Sequence, residues 1–487
     1  MNAHTIESVR RAEAALMATL PDGALMQRAA FGLATVCADV LGHVYGSRVV
    51  ALVGSGDNGG DALYAAARLA SRGAAVELVV LAPDTVHVDG LAAALRAGAR
   101  RTVEPDWGRT DLLIDGVVGI GGRPGLREPA RSHVEAARAA EVYVVAVDVP
   151  SGVDVDAAGV PEPHVTADLT VTFGTYKPAL LAAPAARAAG WVHLVDIGLA
   201  PYLDTPVLEA LDAPDVRAVY PAPSGEEHKY SRGVVGIDAG SDQYAGAAEL
   251  CVLGARGGPA GMIRFGGAEV VANHVVGRHP EVVTGRGRVQ AWVVGSGTAN
   301  RAETALQDGI ADGVPLVVDA DALAHWRPGA AEHALLTPHA GELARMLEVE
   351  RAAIEADPLT YARNAAERLE ATVLLKGSHT IVAEHESPVR VVSAATPWLA
   401  TAGAGDVLAG LAGSLLASGL TPRDAGSLAA WLHGTAARIA ANAYQPKNPS
   451  LTAHDRPTTA SPVGAPITAR DVAAAIPAAT ALALGRR

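Results

Sequence analysis

Apolar positions along this chain gather into two series of short continuous runs, each followed by a glycine-rich or polar turn and then an Ala-rich stretch with helical spacing. The first series is RVVALV from Arg48, VELVVLA from Val76, DLLIDGVVG from Asp111, VYVVAVDVPSG from Val142, LTVTFG from Leu169 and VHLVDIG from Val192. Runs with no polar alternation are strands buried on both faces, so the pattern predicts a parallel sheet covered by helices. A second series follows: GVVGIDAG, AWVVGSG, PLVVDADAL, ALLTPH, TVLLKG, TIVAE and VRVVSA, which predicts a second α/β unit, again with helices between the strands. Between the two series, Pro201, Pro206, Pro214, Pro221 and Pro223 crowd a segment with the composition of a connector. The expected domains are 1–215 and 216–487, and they share no internal repeat. A Pro/Thr/Ser-rich stretch from Lys447 to Pro466 has no periodicity and reads as a mobile loop before a last helix, DVAAAIPAATALAL.

Composition narrows the function classes. Of the 487 residues 49% are hydrophobic but only 4% aromatic, which points to Ala/Val/Leu cores and leaves little material for stacking single-stranded bases. A formal charge of −13 repels nucleic-acid backbones, so any nucleotide bound is a small one in a local site. Cys37 and Cys251 are too few and too far apart for a disulfide framework or a structural zinc site, and a reducing cytoplasm is expected. Glu7, Arg10, Arg11 and Glu13 charge the first residues, which therefore do not read as a signal peptide. No uninterrupted apolar run has the length of a bilayer span, so no membrane partner is expected.

The chemistry concentrates at strand ends, where open α/β sheets bind ligands. Most telling is TAGAGDVLAG, Thr401 to Gly410: Gly403 and Gly405 let a phosphate approach the backbone, and a helix starting at the turn directs its dipole at that anion. Asp406 is placed to take a proton from an attacking hydroxyl. Read alone, the same four letters describe an ordinary glycine-rich helix cap equally well. LLTPHAGE puts His339 and Glu342 beyond one strand, and LLKGSHT puts Lys376, Gly377, Ser378, His379 and Thr380 beyond another. Singly, His339 reads as a structural or surface histidine and Lys376 as a solvated lysine; their common position before the glycine turn favours a nucleotide site. No GxxxxGK[ST] is present.

In this order, HKYSRGVVGIDAGSDQYAGAAEL, VVGSGTA, PLVVDADAL, LLTPHAGELARML, LLKGSHTIVA and TAGAGDVLAGLAG resemble the signatures of the ADP-dependent NAD(P)H-hydrate dehydratases, which have a ribokinase-like α/β fold. The resemblance covers roughly Glu226 to the C-terminus. It implies that Ala247, Gly297, His339 and Asp406 contact the hydrated nicotinamide nucleotide, and that Lys376 to Thr380 and Gly405 hold ADP, with Mg²⁺ as a plausible companion. It also implies phosphoryl transfer from ADP to the C6 hydroxyl of the damaged ring, followed by loss of phosphate. Where relatives often read TGGTGD, this chain has Ala402 and Ala404, which keep Gly405 and Asp406.

In the first half, VVALVGSGDNGGDALYAAARLA reads strand, glycine turn, helix. Its Gly54-x-Gly56-x-x-Gly59 is a weak dinucleotide fingerprint, because Asp57 and Asp61 stand where a pyrophosphate would lie; a plain capped strand-to-helix connection is the competing reading. Asn58, Asp115 and Ser151 bring oxygen atoms to three successive strand ends, a set able to converge on a hard cation. GDNGGD, DGVVGIGGRPG, DVPSGVDVDAAG and TFGTYKPAL, within about Leu25 to Gly198, resemble the NAD(P)H-hydrate epimerase domain, a Rossmann-like unit. The resemblance implies K⁺ on Asn58, Asp115 and Ser151, and a hydrate site lined by Asp57, Asn58, Gly59, Gly60, Asp61, by Gly119, Ile120, Gly121, Gly122, Arg123, Pro124 and Gly125, and by Asp148. Asp148 is then the expected acid/base, with Lys177 the second choice.

Taken together the resemblances imply a repair enzyme in two parts, acting on NADHX and NADPHX, R and S epimers alike, with no nucleic-acid partner and as a homo-oligomer. Two rivals remain at this level: a vitamin-precursor kinase of the same fold with a regulatory front domain, and a front domain acting as an interaction scaffold. A kinase releases a stable phosphorylated product, whereas repair releases free phosphate and a reduced cofactor.

Overall fold

A computed structural model of the chain describes residues 1–393, 395–442 and 464–485; the expected loop from Lys447 lies outside the described residues as far as position 463. The chain divides into two compact units between Leu208 and Glu209, within the Pro-rich connector. All the apolar runs named above form strands.

The first unit holds a seven-stranded parallel sheet in the order Arg100–Arg101, Ala75–Val80, Arg48–Val53, Leu112–Gly116, Tyr143–Val147, Leu169–Phe173, Trp191–Val195. The first strand in the chain, Arg48–Val53, pairs with Ala75–Val80 on one side and Leu112–Gly116 on the other. Connections therefore run outward in both directions from this point, and the C-terminal ends of Arg48–Val53 and Leu112–Gly116 open a crevice. One face of the sheet packs on the helices Ala24–Leu41 and Gly56–Ser71 through Leu33, Cys37, Leu63 and Leu69; the other face packs on Ala130–Ala139. Ala24–Leu41 has 18 residues and a mean hydropathy of 1.3, enough by length and composition to cross a membrane. Its apolar content instead serves the core, where Leu33 and Cys37 are fully buried.

In the second unit the strands run Val389–Val392, Thr380–Ala383, Thr372–Leu375, Ala334–Leu336, Leu316–Val318, Ala291–Val294, Val234–Asp238, Met262–Phe265, Val283–Thr284. Thr372–Leu375 through Val283–Thr284 are parallel, with Val234–Asp238 between Ala291–Val294 and Met262–Phe265 as the second reversal point. The expectation of helices between all strands fails at the other end: Thr372–Leu375, Thr380–Ala383 and Val389–Val392 form an antiparallel meander. Four residues, Lys376 to His379, separate the first two strands, too few for a crossover helix. Met262–Phe265 and Val283–Thr284 escaped the pattern because they are outer strands, half-buried or exposed, and Met262–Phe265 carries the polar Arg264.

The helix Ala404–Ala417 lies in the middle of this unit, with every residue from Val407 to Ala417 buried. It crosses Ala245–Arg256 at backbone distance: a Cβ on Gly410 would strike the Cys251 carbonyl, and one on Gly254 the Val407 carbonyl. Gly410→Ala is therefore expected to destabilise this unit by about 3 kcal/mol, the upper end of overpacking penalties. Gly277→Ala, in the helix Glu269–Arg278 with nothing within 4 Å of its Cβ, is expected to be neutral or stabilising by up to about 1 kcal/mol. Calorimetric midpoints moving in the same direction for both variants would contradict this packing.

Candidate functional site

Two sites are built, one in each unit, both at the C-terminal ends of parallel strands. In the second unit Gly403, at φ +82°, turns the chain into Ala404–Ala417, so Asp406 falls in the first helical turn. The N–H groups of Gly405 and Asp406 have no intrahelical acceptor and face outward with the helix dipole. Beside them stands Lys376: its Nζ lies 3.4 Å from the position a Gly405 Cβ would take, so the lysine head and the glycine turn adjoin. His339 and Lys376 are bridged through the backbone, which brings the ends of Ala334–Leu336 and Thr372–Leu375 together. Ala247 meets the place a Gly297 Cβ would occupy at 2.7 Å, so these two residues also adjoin.

The charges form a network centred on Asp319, which sequence reasoning quoted within PLVVDADAL but gave no role. Its carboxylate, 2% exposed, accepts from Lys376 Nζ at 2.9 Å, Thr337 Oγ1 at 2.7 Å and Ser296 Oγ at 2.9 Å. Burial opposes its charge, but Lys376 and the two hydroxyls outweigh burial and hold Asp319 below the usual carboxylate range. Lys376 is thus a paired, mostly buried cation, with Glu342 at 3.8 Å as its second acid. Burial works against the Lys376 charge too, yet Asp319 and Glu342 raise its pKa. Asp406 moves the other way: burial first, and then the negative Asp319, push it up to about 7. Two neighbouring carboxylates thereby acquire opposite states, Asp319 firmly ionised and Asp406 poised near neutrality.

His339 has a local task. Its Nδ1 accepts from the N–H groups of Gly341 at 3.0 Å and Glu342 at 3.1 Å, and the Glu342 carboxylate returns a bond to the His339 N–H, a capping box for Ala340–Leu347. Its ring stays half exposed at the mouth of the site, and burial holds its pKa down. Gly377 and Ser378 are exposed, His379 and Thr380 half-buried, on the tight turn of the meander. His433, in the helix Pro422–Ala440, escaped the sequence reading because it lies mid-helix with no motif around it. It hydrogen-bonds the backbone of Ala404, and burial pushes it down to about 4, so a neutral imidazole backs the glycine turn.

In the first unit the crevice is lined from three strand ends. The Asn58 side chain, with its amide oriented to suit its neighbours, donates to the Val147 carbonyl at 3.0 Å and accepts from Gly119 N–H at 3.3 Å, tying the glycine turn to both later loops. Gly59 and Gly60 are buried packing positions: a Cβ on Gly60 would meet the Met26 side chain at 2.9 Å. Asp57 is exposed, whereas Asp61 is buried with Oδ1 unpartnered, and burial followed by Asp148 and Asp57 drives its pKa well upward. Burial thus works against the charge on Asp61, one of the two that argued against an anionic ligand. Ile120, Gly122 and Gly125 are half-exposed and Gly121, Arg123 and Pro124 exposed on the loop that borders the crevice.

Asp115, fully buried, accepts from Ser151 Oγ at 2.7 Å, Ser151 N–H at 2.9 Å and Val117 N–H at 3.3 Å, while Ser151 Oγ also lies 3.1 Å from the Val118 carbonyl. Burial pushes Asp115 up to about 6 in spite of these donors. A carboxylate, a hydroxyl, a main-chain carbonyl and the nearby Asn58 amide make an all-oxygen donor set with one acid, and a monovalent hard cation there would offset the cost of the buried charge. The set has the chemistry of a hard-cation site. Next to it, Asp148 adopts φ +66°, a left-handed backbone uncommon outside glycine, with its N–H on the Val171 carbonyl at 2.8 Å. The turn aims its carboxylate at Lys177, whose Nζ lies 2.5 Å from Asp148 Oδ1, 2.9 Å from Thr172 Oγ1 and 3.1 Å from the Phe173 carbonyl, with only 1% of the lysine side chain exposed. Lys177 is thus a direct partner of Asp148.

Known proteins share both halves. The family model described as NAD(P)H-hydrate dehydratase matches residues 235–456, and the one described as YjeF-related protein N-terminus matches residues 22–179. The bifunctional NAD(P)H-hydrate repair enzyme Nnr of Mycobacterium tuberculosis (strain ATCC 25618 / H37Rv) is 47% identical over 442 residues, 87% of this chain and 90% of the relative. The enzyme of the same name from Mycobacterium leprae (strain TN) is 44% identical over 455 residues, 90% of this chain and 94% of the relative. Among solved structures, the ADP/ATP-dependent NAD(P)H-hydrate dehydratase of Bacillus subtilis co-crystallised with ATP and Mg²⁺ aligns with a TM-score of 0.49 at 26% identity, covering 56% of this chain and 97% of that one. With such identity sustained across both units, the chain belongs to the family of bifunctional NAD(P)H-hydrate repair enzymes.

Proposed function

We propose that this chain repairs hydrated NADH and NADPH in two steps, one per unit. The second unit converts the S hydrate with ADP to NAD(P)H, AMP and phosphate; the first interconverts R and S, so that the whole damaged pool drains through the S-specific step. The observation that carries the first statement is the divergent pair Asp406 and Asp319, set around Lys376 at the start of Ala404–Ala417. Asp406, near neutrality, takes the proton of the C6 hydroxyl as that oxygen attacks the β-phosphorus of ADP. The bond from that phosphorus to the bridging oxygen breaks and AMP leaves. The helix N-terminus and Lys376 face the charge that develops on the moving phosphoryl group. The lone pair of the ring nitrogen then expels phosphate from C6, and loss of a C5 proton restores the dihydronicotinamide.

Ala247, Gly297 and His339 surround the nicotinamide nucleotide in this reading, while Gly377, Ser378, His379 and Thr380 border the ADP. Among the described residues no group of three or more His, Cys, Asp or Glu side chains is arranged to hold a metal. Mg²⁺ would therefore arrive on the nucleotide phosphates, as such ions commonly do. In the first unit Asn58, Asp115 and Ser151 would hold K⁺, which supplies positive charge behind the crevice. Asp148 acts on the C6 hydroxyl, and Lys177 fixes its direction. The buried free thiols of Cys37 and Cys251 support a reducing compartment, the cytoplasm.

The test incubates the full chain with purified mixed R and S hydrates, with and without ADP, and follows each epimer by chromatography. Without ADP the epimers should equilibrate and no NAD(P)H appear; with ADP both should vanish. A stable phosphorylated product would favour the kinase alternative, and consumption of S alone would leave the first unit without its activity.

A further inference from the structure

The stretch matched by the YjeF-related family model begins at residue 22. Ahead of it lies a helix, Ile6–Met17, whose Arg10 adjoins the loop at Gly121 that borders the crevice of the first unit. Its start is fixed three times over: Thr5 caps it through Ser8 N–H, Ile6 N–H donates to Asp156 Oδ1 at 3.0 Å, and Ser8 Oγ donates to Asp204 Oδ1 at 3.0 Å. Arg11 pairs with the same Asp204, and His4 Nδ1 lies 2.8 Å from Thr175 Oγ1. Val9, Ala12 and Leu16 are buried, which sets the rotation of the helix. With that rotation fixed, Arg10 reaches the loop bordering the crevice, its NH2 3.2 Å from where a Gly121 Cβ would stand. Glu13, one turn further on, occupies the same side.

Glu13 is half-buried and lies within electrostatic reach of Asp148, Lys177 and Asp57 as well as Arg10; the buried Asp61 carboxyl, whose Oδ1 has no hydrogen-bond partner, senses it in turn. Resting on the epimerase reading above, we propose that Glu13 is the second acid/base group of that site, acting with Asp148 on the C6 hydroxyl. Inversion at C6 needs two such groups, because water leaves one face of the ring and returns to the other, and one rigid carboxyl cannot serve both faces. One carboxyl gives its proton to the hydroxyl; the C6–O bond breaks with its electron pair on oxygen, and water departs as the ring nitrogen lone pair forms N1=C6. Water then adds to C6 from the opposite face, the N1=C6 pair returns to nitrogen, and the second carboxylate takes the released proton. No oxidant or reductant is involved. Asp148 sits against an ammonium at 2.5 Å, whereas Glu13 has Lys177 and Arg10 as well as Asp148 and Asp57 within electrostatic reach, and burial first, then Asp148, raises its pKa. Glu13 suits the proton donor and Asp148 the acceptor, with the roles exchanged for the reverse direction.

The experiment uses the full chain with purified R hydrate and no ADP, and reads the appearance of S. Glu13→Gln should lower kcat about 100-fold or more with KM little changed, Glu13→Asp should recover part of it, and the alkaline fall of the wild-type rate should be absent from the residual Gln activity. ADP-driven consumption of S, carried by the other unit, and an unchanged unfolding midpoint report that the variant is folded. A full epimerisation rate in Glu13→Gln, or an effect confined to KM, overturns the proposal. Asp148→Asn, run in parallel, separates the two levels: loss there with full activity in Glu13→Gln rejects only Glu13, whereas full activity in both rejects the epimerase reading of the crevice.

Discussion

Asp406→Asn should reduce ADP-dependent recovery of NAD(P)H from the S hydrate by roughly 10²–10⁴-fold, the contribution a placed general base makes. Asparagine keeps the size of the side chain and its place in the first turn of Ala404–Ala417 but cannot accept the hydroxyl proton. The variant should fold, and the sign of linkage says why. Asp406 is held at about 7 by burial and Asp319, above the 3.8 of an ordinary aspartate. Between those values the unfolded chain releases this proton and the folded one keeps it, so the contribution of Asp406 to stability falls as pH rises through about 7. Asparagine removes that penalty. The same pKa shapes the wild-type rate, which should climb with pH up to about 7 and then level off, because the base works only when ionised. The rise in near-ultraviolet absorbance of the reduced ring, measured from pH 5 to 9, is the readout. Full activity in the Asn variant, or a wild-type rate flat through neutral pH, would remove Asp406 from this role.

Lys177→Met should be the most damaging single change in the first unit. It strips three contacts from a fully buried ammonium and leaves Asp148, mostly buried itself, without its cation. Breaking a buried pair from one side costs about 3–5 kcal/mol, because the remaining charge stays desolvated and unpaired. Asp148→Asn combined with Lys177→Met removes both charges and should regain most of that stability without regaining epimerisation. Since the two units need not unfold together, the calorimetric transition belonging to the first unit is the relevant one. If the single Met variant melts with the wild type the pair is not structural, and if it still equilibrates R and S at the normal rate the pair is not catalytic.

Several residues drew their meaning from different levels of organisation. The run of Thr401 to Gly410 read alone fits a phosphoryl site and an ordinary helix cap equally well, and the structure adds that burial and then a second carboxylate, Asp319, raise Asp406. Lys376 reads as a solvated or phosphate-binding lysine in one dimension; in three it is the counter-ion of Asp319, a residue of no evident chemical promise in PLVVDADAL. Glu13 shows the same limit. In sequence it is one charge among several near the start of the chain, and only the helix anchored by Asp156 and Asp204 brings it within electrostatic reach of Asp148.

By itself the sequence determined the α/β class, the positions of the buried strands and the motifs that close the two sites, because continuous apolar runs and glycine turns are local properties of a chain. It also carried the family, through motifs whose order no other fold requires. Tertiary structure alone decided that the last strands of the second sheet form an antiparallel meander, that Asp319 is ionised beside a near-neutral Asp406, and that Lys177 belongs to Asp148. Strand direction depends on where a connection lands, and a carboxyl's charge on how much water is excluded and which distant side chains take its place. Those quantities come into being only when segments far apart in sequence share one crevice.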